Sequence, residues 1–185
     1  MHNLIYGERR VITMHNLIYG ECRDRIKRFE GVREWLYYDD RHKLTGGVGH
    51  NFTDNGIPGK MVKKWGSDWV FREMSVGRIE ELFTYDLEIA FKDLCDIFNF
   101  DVFEEFPFNV QAVLMDMCFN MGKKSFLSFT KMRHYLFNNL INEAAKEIRN
   151  SKYWRDCEAT RLILLSHNIK NVYGRAEENA KFMES

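Results

Sequence analysis

Two carboxylates and a hydroxyl fall within one short stretch, residues 30–50, EGVREWLYYDDRHKLTGGVGH. Glu30 and Asp39 stand nine positions apart, Thr45 follows six further on, and the run closes on Gly49-His50. A carboxylic acid kept protonated by an apolar setting can donate to a departing oxygen. A second, ionised carboxylate can activate water or attack a sugar, and together the two can hydrolyse a glycosidic bond. A hydroxyl beside the second carboxylate can orient the water. The plain alternative is two solvated carboxylates: the chain has 27 acidic residues, so pairs at this spacing also arise by chance, and acidic side chains are mostly exposed.

The flanking sequence predicts the elements that would position these groups. Residues 22–29 read as a helix that brings the chain to Glu30. Arg33 to Tyr38 is rich in aromatic residues and predicts a strand. Asp39 to Lys43 is polar and predicts a turn, and Leu44 to Val48 a return strand weakened by Gly46 and Gly47. The expected product is a small twisted hairpin with Asp39 at its tip. Thr45 points back toward Asp39, and the acid, the second carboxylate and the hydroxyl converge on one cleft.

The order Glu-x8-Asp-x5-Thr, with Gly31 after the Glu, Tyr37 two before the Asp and T-G-G-V-G-H at the end, resembles the phage-type lysozymes (muramidases, endolysins) without a gap over this stretch. The resemblance implies Glu30 as general acid, Asp39 rather than Asp40 as the second catalytic carboxylate, and Thr45 as the hydroxyl that positions water. It further implies Asn51, Phe119 and Asn120 as substrate-binding residues, and His50 and Arg161 as support for the catalytic acid. For His50 the plain alternative is a structural partner of a carboxylate, for Phe119 ordinary core, and for Arg161 a surface arginine. The implied fold is α+β and mostly α. A small β-hairpin lobe (about 22–75) and a larger helical lobe (about 99–182) are joined by a long helix (about 76–98). The implied reaction is hydrolysis of the β-1,4 bond between N-acetylmuramic acid and N-acetylglucosamine in peptidoglycan, with inversion, by a monomer that needs no metal or organic cofactor. The expected role is a free endolysin that reaches the wall through a partner pore, a holin. The other readings are a virion or defence lysozyme, or a catalytically silent wall-binding protein on the same scaffold.

Composition sets the bounds. At 185 residues and 22.1 kDa, with 45% hydrophobic residues and two prolines, the chain can form one mostly helical domain with an internal lobe boundary. Lys+Arg and Asp+Glu are equal at 27 each. That balance excludes an evident nucleic-acid binder, and it departs from the basic character of many wall-degrading lysozymes. No apolar run has the length of a membrane span or of a secretory core, so no export signal is expected. MHNLIYGE occurs at 1–8 and again at 14–21, which reads as a short duplication or an added upstream start. Residues 1–21 form an extension to the domain at 22–182, and 1–13 are expected to be dispensable. The four cysteines, Cys22, Cys95, Cys118 and Cys157, are scattered with no C-x-x-C. Free thiols are expected, with Cys95 and Cys118 buried on helical faces, and metal ligation is not.

Beyond the hairpin, Lys60, Lys63 and Lys64 with Trp65 and Trp69 form a basic, aromatic patch. Either it meets sugars or wall phosphates, or it is a short helix with both tryptophans turned inward. Ser75 is the expected N-cap of a long helix striped by Ile79, Leu82, Phe83, Leu87, Ala90, Leu94, Ile97 and Phe98. Phe106-Pro107 breaks the chain. Val110–Met121 predicts a buried central helix stopped by Gly122, and its CFNMG resembles the family's F-N/Q-x-G ending. Met132–Asn150 predicts one helix with Leu136, Leu140, Ala144 and Ile148 on one face. The family's sugar-contacting serine and asparagine fall opposite Met132 and Glu147 here, a mismatch. In SKYWRDCEATR, Trp154 and Arg161 keep the family's spacing while Cys157-Glu158-Ala159 replaces its Q-T-P. YGRAEENAKF at 173–182 resembles the closing helix, with Glu178 structural.

Overall fold

The structure, a computed structural model, describes residues 20–66, 69–158 and 174–185. Among these the chain is mostly helical with one small antiparallel sheet, the α+β class expected from the sequence. It divides into two compact units: one spans Arg23–Phe91, the other is built from Lys92 onward and takes in Cys22.

The first unit carries the sheet. Helix α1 covers residues 20–30. Strand β1 (Arg33–Tyr38) pairs with β2 (Leu44–Gly47), and β2 pairs with β3 (His50–Asn51). The third strand departs from the two-stranded hairpin expected. The return strand stops at Gly47 instead of running through Val48, because Gly47 and Gly49 hold φ of +60° and +71° and turn the chain back at once. Two short helices follow, α2 (Phe52–Asn55) and α3 (Gly59–Trp65), then a 3-10 turn at Trp69–Phe71. Trp65 and Trp69 are buried, with ring centroids 5.9 Å apart, and Phe52 lies 5.0 Å from Trp69. Both tryptophans are therefore inward anchors, while Lys60, Lys63 and Lys64 stay exposed. Trp65 satisfies its ring N–H by donating to Glu81 Oε2 at 3.2 Å.

Helix α4 (Val76–Phe98) begins where the sequence indicates: Ser75 Oγ accepts from the Arg78 N–H at 3.4 Å. Its stripe of Ile79, Leu82, Phe83, Leu87, Ala90, Leu94 and Phe98 is buried, as the period requires, while Ile97, expected on the same stripe, is only half-buried. Ile26 and Met74 join that core. Arg23 and Lys27, one turn apart on α1, both pair with Glu80 of α4, and Arg23 also donates to Thr84 Oγ1. Burial opposes charge on Glu80, but these two cations win and hold its carboxyl below the ordinary value.

The second unit is helical: α5 (Phe100–Glu105), α6 (Phe108–Phe126), α7 (Thr130–Phe137), α8 (Ile141–Arg149), α9 (residues 152–158) and α10 (Arg175–Glu184). Val110 to Cys118 of α6 is an unbroken buried run. Gly122, the expected stop, leaves helical geometry at φ +72°, ψ 162°, and helical turns then resume to Phe126. The single helix expected over 132–150 is two. Asn139 adopts a left-handed φ of +55°, which asparagine tolerates, and the turn it makes leaves Leu140 exposed rather than on the buried face. Inside this unit Asp116 is fully buried and bidentate with Arg175: Nε to Oδ2 at 2.9 Å and Nη2 to Oδ1 at 2.8 Å. Asn179 donates to the same carboxylate at 2.6 Å. A buried charge needs such partners, and these tie α10 to α6.

All four cysteines are free. Cys118 is buried as expected, whereas Cys95 is only half-buried. Burial pushes the Cys118 thiol up to about 12 and the Cys95 thiol up to about 11.

Candidate active site

Glu30 is the last residue of α1. The helix ends there because Gly31 turns left-handed (φ +72°) and its N–H closes on the Lys27 carbonyl at 2.9 Å. Since Arg23 and Lys27 fasten α1 to α4, the position of Glu30 is fixed from behind. In front of it lies Gly49. A Cβ added there would stand 2.8 Å from Glu30 Oε2 and 3.2 Å from its carboxyl carbon. Only a residue without a side chain lets the main chain come this close, so the two ends of the 30–50 stretch are in direct contact.

Asp39 starts the hairpin turn. Its N–H donates to the Lys43 carbonyl at 2.9 Å. Its Oδ1 accepts from the N–H groups of Arg41 at 2.9 Å and Lys43 at 2.8 Å. Asp39 is half-buried and Asp40 exposed, so the turn itself distinguishes the two neighbours. Thr45 lies on the middle strand, opposite Tyr37 on one side and Asn51 on the other, and is 5% exposed. Its hydroxyl donates to the Lys43 carbonyl at 3.1 Å, which leaves the oxygen's lone pairs able to accept. Glu30, Asp39 and Thr45 thus all belong to the sheet-bearing unit: one at the helix end against Gly49, one at the hairpin tip, one on the central strand.

His50 does not spend its ring on Glu30. Nδ1 lies 2.8 Å from Asp86 Oδ2 and Nε2 lies 2.8 Å from the Gly56 carbonyl. Both partners are acceptors, so the imidazolium is the form that satisfies both. Burial works against that charge, but the hydrogen bond and charge of Asp86, with the Gly56 carbonyl, outweigh it and raise the pKa above the ordinary histidine value. His50 therefore clamps β3 to α4 and to the loop after α2, and its neighbour Gly49, not its ring, lies against Glu30.

Asn51 is also engaged by its own chain. It caps α2, with Oδ1 accepting from the Asp54 N–H and Nδ2 donating to Asp54 Oδ2, both at 2.9 Å. A sugar contact would have to displace that cap. Phe119, half-buried, and Asn120, exposed, lie in the second unit on the last turn of α6 before the Gly122 break. Arg161 lies outside the described residues, as does the duplicated segment up to residue 19. Among the described residues no group of three His, Cys, Asp or Glu side chains is placed to hold a metal ion, and no helix is long and apolar enough to cross a membrane.

Sequence reasoning missed the residues that hold the site in place. Asp86 and Glu80 lie outside the apolar α4 stripe, and nothing in the local pattern singles them out. Asp116 gave a usable signal, since a carboxylate inside the apolar run VLMDMC demands a buried partner.

No curated protein matches the chain. The profile of the phage lysozyme family matches residues 27–163, a range that holds Glu30, Asp39, Thr45, both strands of the hairpin and the buried helix α6. That match spans most of the sequence and coincides with the mostly helical, single-sheet architecture, so the chain belongs to the phage lysozyme family, whose members are glycoside hydrolases acting on peptidoglycan.

Proposed function

We propose that the protein is an N-acetylmuramidase that cleaves the β-1,4 bond between N-acetylmuramic acid and N-acetylglucosamine. Glu30 protonates the departing glycosidic oxygen. Asp39 takes a proton from water on the opposite face of the sugar, and Thr45 accepts from that water to aim it. The observation that carries this reading is the packing of Glu30 on Gly49, in the same unit as Asp39 and Thr45. It gives the acid a fixed seat on main chain, away from the turn that holds the second carboxylate. Asp39 supports the base role because one of its oxygens is occupied by two main-chain N–H groups, which leaves the other for water. A water held by Thr45 favours inversion of the anomeric centre, the outcome expected when carboxylates stand ~6.5–9.5 Å apart.

In this reading the enzyme acts as a monomeric endolysin that reaches the wall after release through a holin. Release of reducing ends from purified peptidoglycan tests the chemistry, with Glu30→Gln as the comparison. Loss of the proton donor should lower the rate by at least ~10²-fold. Equal rates would remove Glu30 from the role of acid. Binding without cleavage by the wild-type chain would leave a silent wall-binding scaffold instead.

A further inference from the structure

Strand β1 is more exposed than any strand that serves a core. Of its six residues only Leu36 is half-buried, and Trp35 and Tyr38 are 58% and 71% exposed. Val32, just before it, is exposed as well. The sequence RE-W-L-Y-Y predicts a strand from its aromatic content, yet those rings do not pay into the hydrophobic core. That task falls to Trp65 and Trp69, which are buried. Large apolar side chains left in water at adjacent positions are the informative exception on a protein surface, and they mark contact sites.

The chemistry of the strip is specific. The Arg33 guanidinium lies over the Tyr37 ring, 5.8 Å from its centroid. An open groove of about 740 Å³ runs along Val32, Arg33, Glu34, Trp35, Leu36 and Tyr37. Indole and phenol faces flanked by a cation suit a sugar chain. The apolar C–H faces of the pyranose rings stack on the aromatics, while hydroxyl and acetamido groups meet Arg33 at the rim. The strip is continuous with the candidate active site. Tyr37 pairs with Thr45 across the sheet, Tyr38 pairs with Leu44, and Asp39 follows at once. At ~3.3 Å per residue, Trp35 stands roughly 13 Å along the strand from Asp39, a little more than one disaccharide repeat of a glycan. A second copy of this chain adding as a strand fits less well, because the Glu34 carbonyl in mid-strand already accepts from the Met74 N–H at 2.7 Å.

We propose that the exposed aromatic flank of β1, centred on Trp35 with Tyr37, is a stacking surface for the glycan strand of peptidoglycan that extends the substrate track outward from Asp39. The proposal rests on the muramidase reading for the identity of the polymer, but not on catalysis.

The test uses the full chain carrying Glu30→Gln, so that binding is read without cleavage. Its probe is peptidoglycan glycan strands freed of their stem peptides. Binding should blue-shift and enhance the fluorescence of Trp35. Adding Trp35→Ala should weaken binding tenfold or more, as removal of a central aromatic contact does, and Trp35→Phe should restore most of it. The melting temperature should not move, because the residue is exposed. Two results would overturn the proposal. One is undiminished binding by the Trp35→Ala chain. The other is a parent chain that dimerises by light scattering and becomes monomeric on Trp35→Ala while glycan binding stays the same, which would give the strip to a second copy. If the chain with Glu30 intact fails to cleave but Trp35 still governs binding, the muramidase chemistry falls and the stacking surface stands.

Discussion

Replacing Gly49 by alanine probes the contact on which the proposed acid, Glu30, depends. The added Cβ would meet Glu30 Oε2 at 2.8 Å, whereas ordinary contact begins near 3.4 Å. The carboxyl must therefore retreat by about 0.6 Å, the difference between those two distances. A displacement of 1 Å at a reacting group can cost on the order of 10²-fold, so the peptidoglycan-cleaving rate should fall by roughly tenfold. Stability should fall too, since φ at this position is +71° and a left-handed non-glycine residue costs ~1–2 kcal/mol. For a chain of this length that lowers the melting temperature by roughly 2–8 °C. The matched control is Gly31→Ala. Its φ is +72° but its Cβ would meet nothing within 4 Å. It should lose similar stability and keep its rate. The comparison is made by reducing-end release well below either melting temperature. If Gly49→Ala cuts at the wild-type rate, or if Gly31→Ala is equally slow, the seat of Glu30 on Gly49 is not what positions the acid.

Other perturbations read other parts of the molecule. The raised pKa of His50 means that its clamp contributes fully below the unfolded value of about 6.5 and is lost as pH rises through the folded value. Urea midpoints should decline across that window, and Asp86→Asn should remove the decline and cost about 3 kcal/mol, the scale for breaking a buried pair. Asp116→Ala leaves Arg175 buried without its carboxylate and should cost about 3–5 kcal/mol, read as a melting temperature lower by roughly 6–20 °C. The thiols of Cys95 and Cys118, raised to about 11 and about 12, should react slowly with a thiol reagent at neutral pH until the protein is unfolded, because the thiolate is the reactive form. Fast labelling of Cys118 in the native state would contradict its burial in α6.

What the sequence disclosed follows from how local each signal is. The bounds of β1, the turn at Asp39–Lys43, the Ser75 cap and the break at Gly122 depend on a few neighbouring residues, and they appear where the pattern puts them. The choice between an inward and an outward face for Trp65 and Trp69 depended on Phe52 and Glu81 arriving from elsewhere in the chain, and no local pattern decides that. The split at Asn139 lost to a hydrophobic period that ran across it, with Leu140 in register for a face it does not occupy. In the candidate site the order of Glu30, Asp39 and Thr45 and its family resemblance singled out three groups that lie in one unit, while their supports were not legible. Asp86 and Glu80 acquire meaning only when α4 meets β3 and α1, and the capping task of Asn51 appears only once α2 is known to begin at Phe52.

The turn at Asp39 divides one side chain between two tasks. Oδ1 holds the main-chain N–H groups of Arg41 and Lys43, and an asparagine oxygen would hold them as well. The charge that the proposed chemistry needs is absent from that amide. An aspartate codon becomes an asparagine codon by one base change, and in this geometry such a change spares the hairpin. With Asp39 as the proposed base, a lineage carrying this gene is a single mutation from a folded protein that no longer cuts. Such a loss would leave almost no mark in the shape of the molecule.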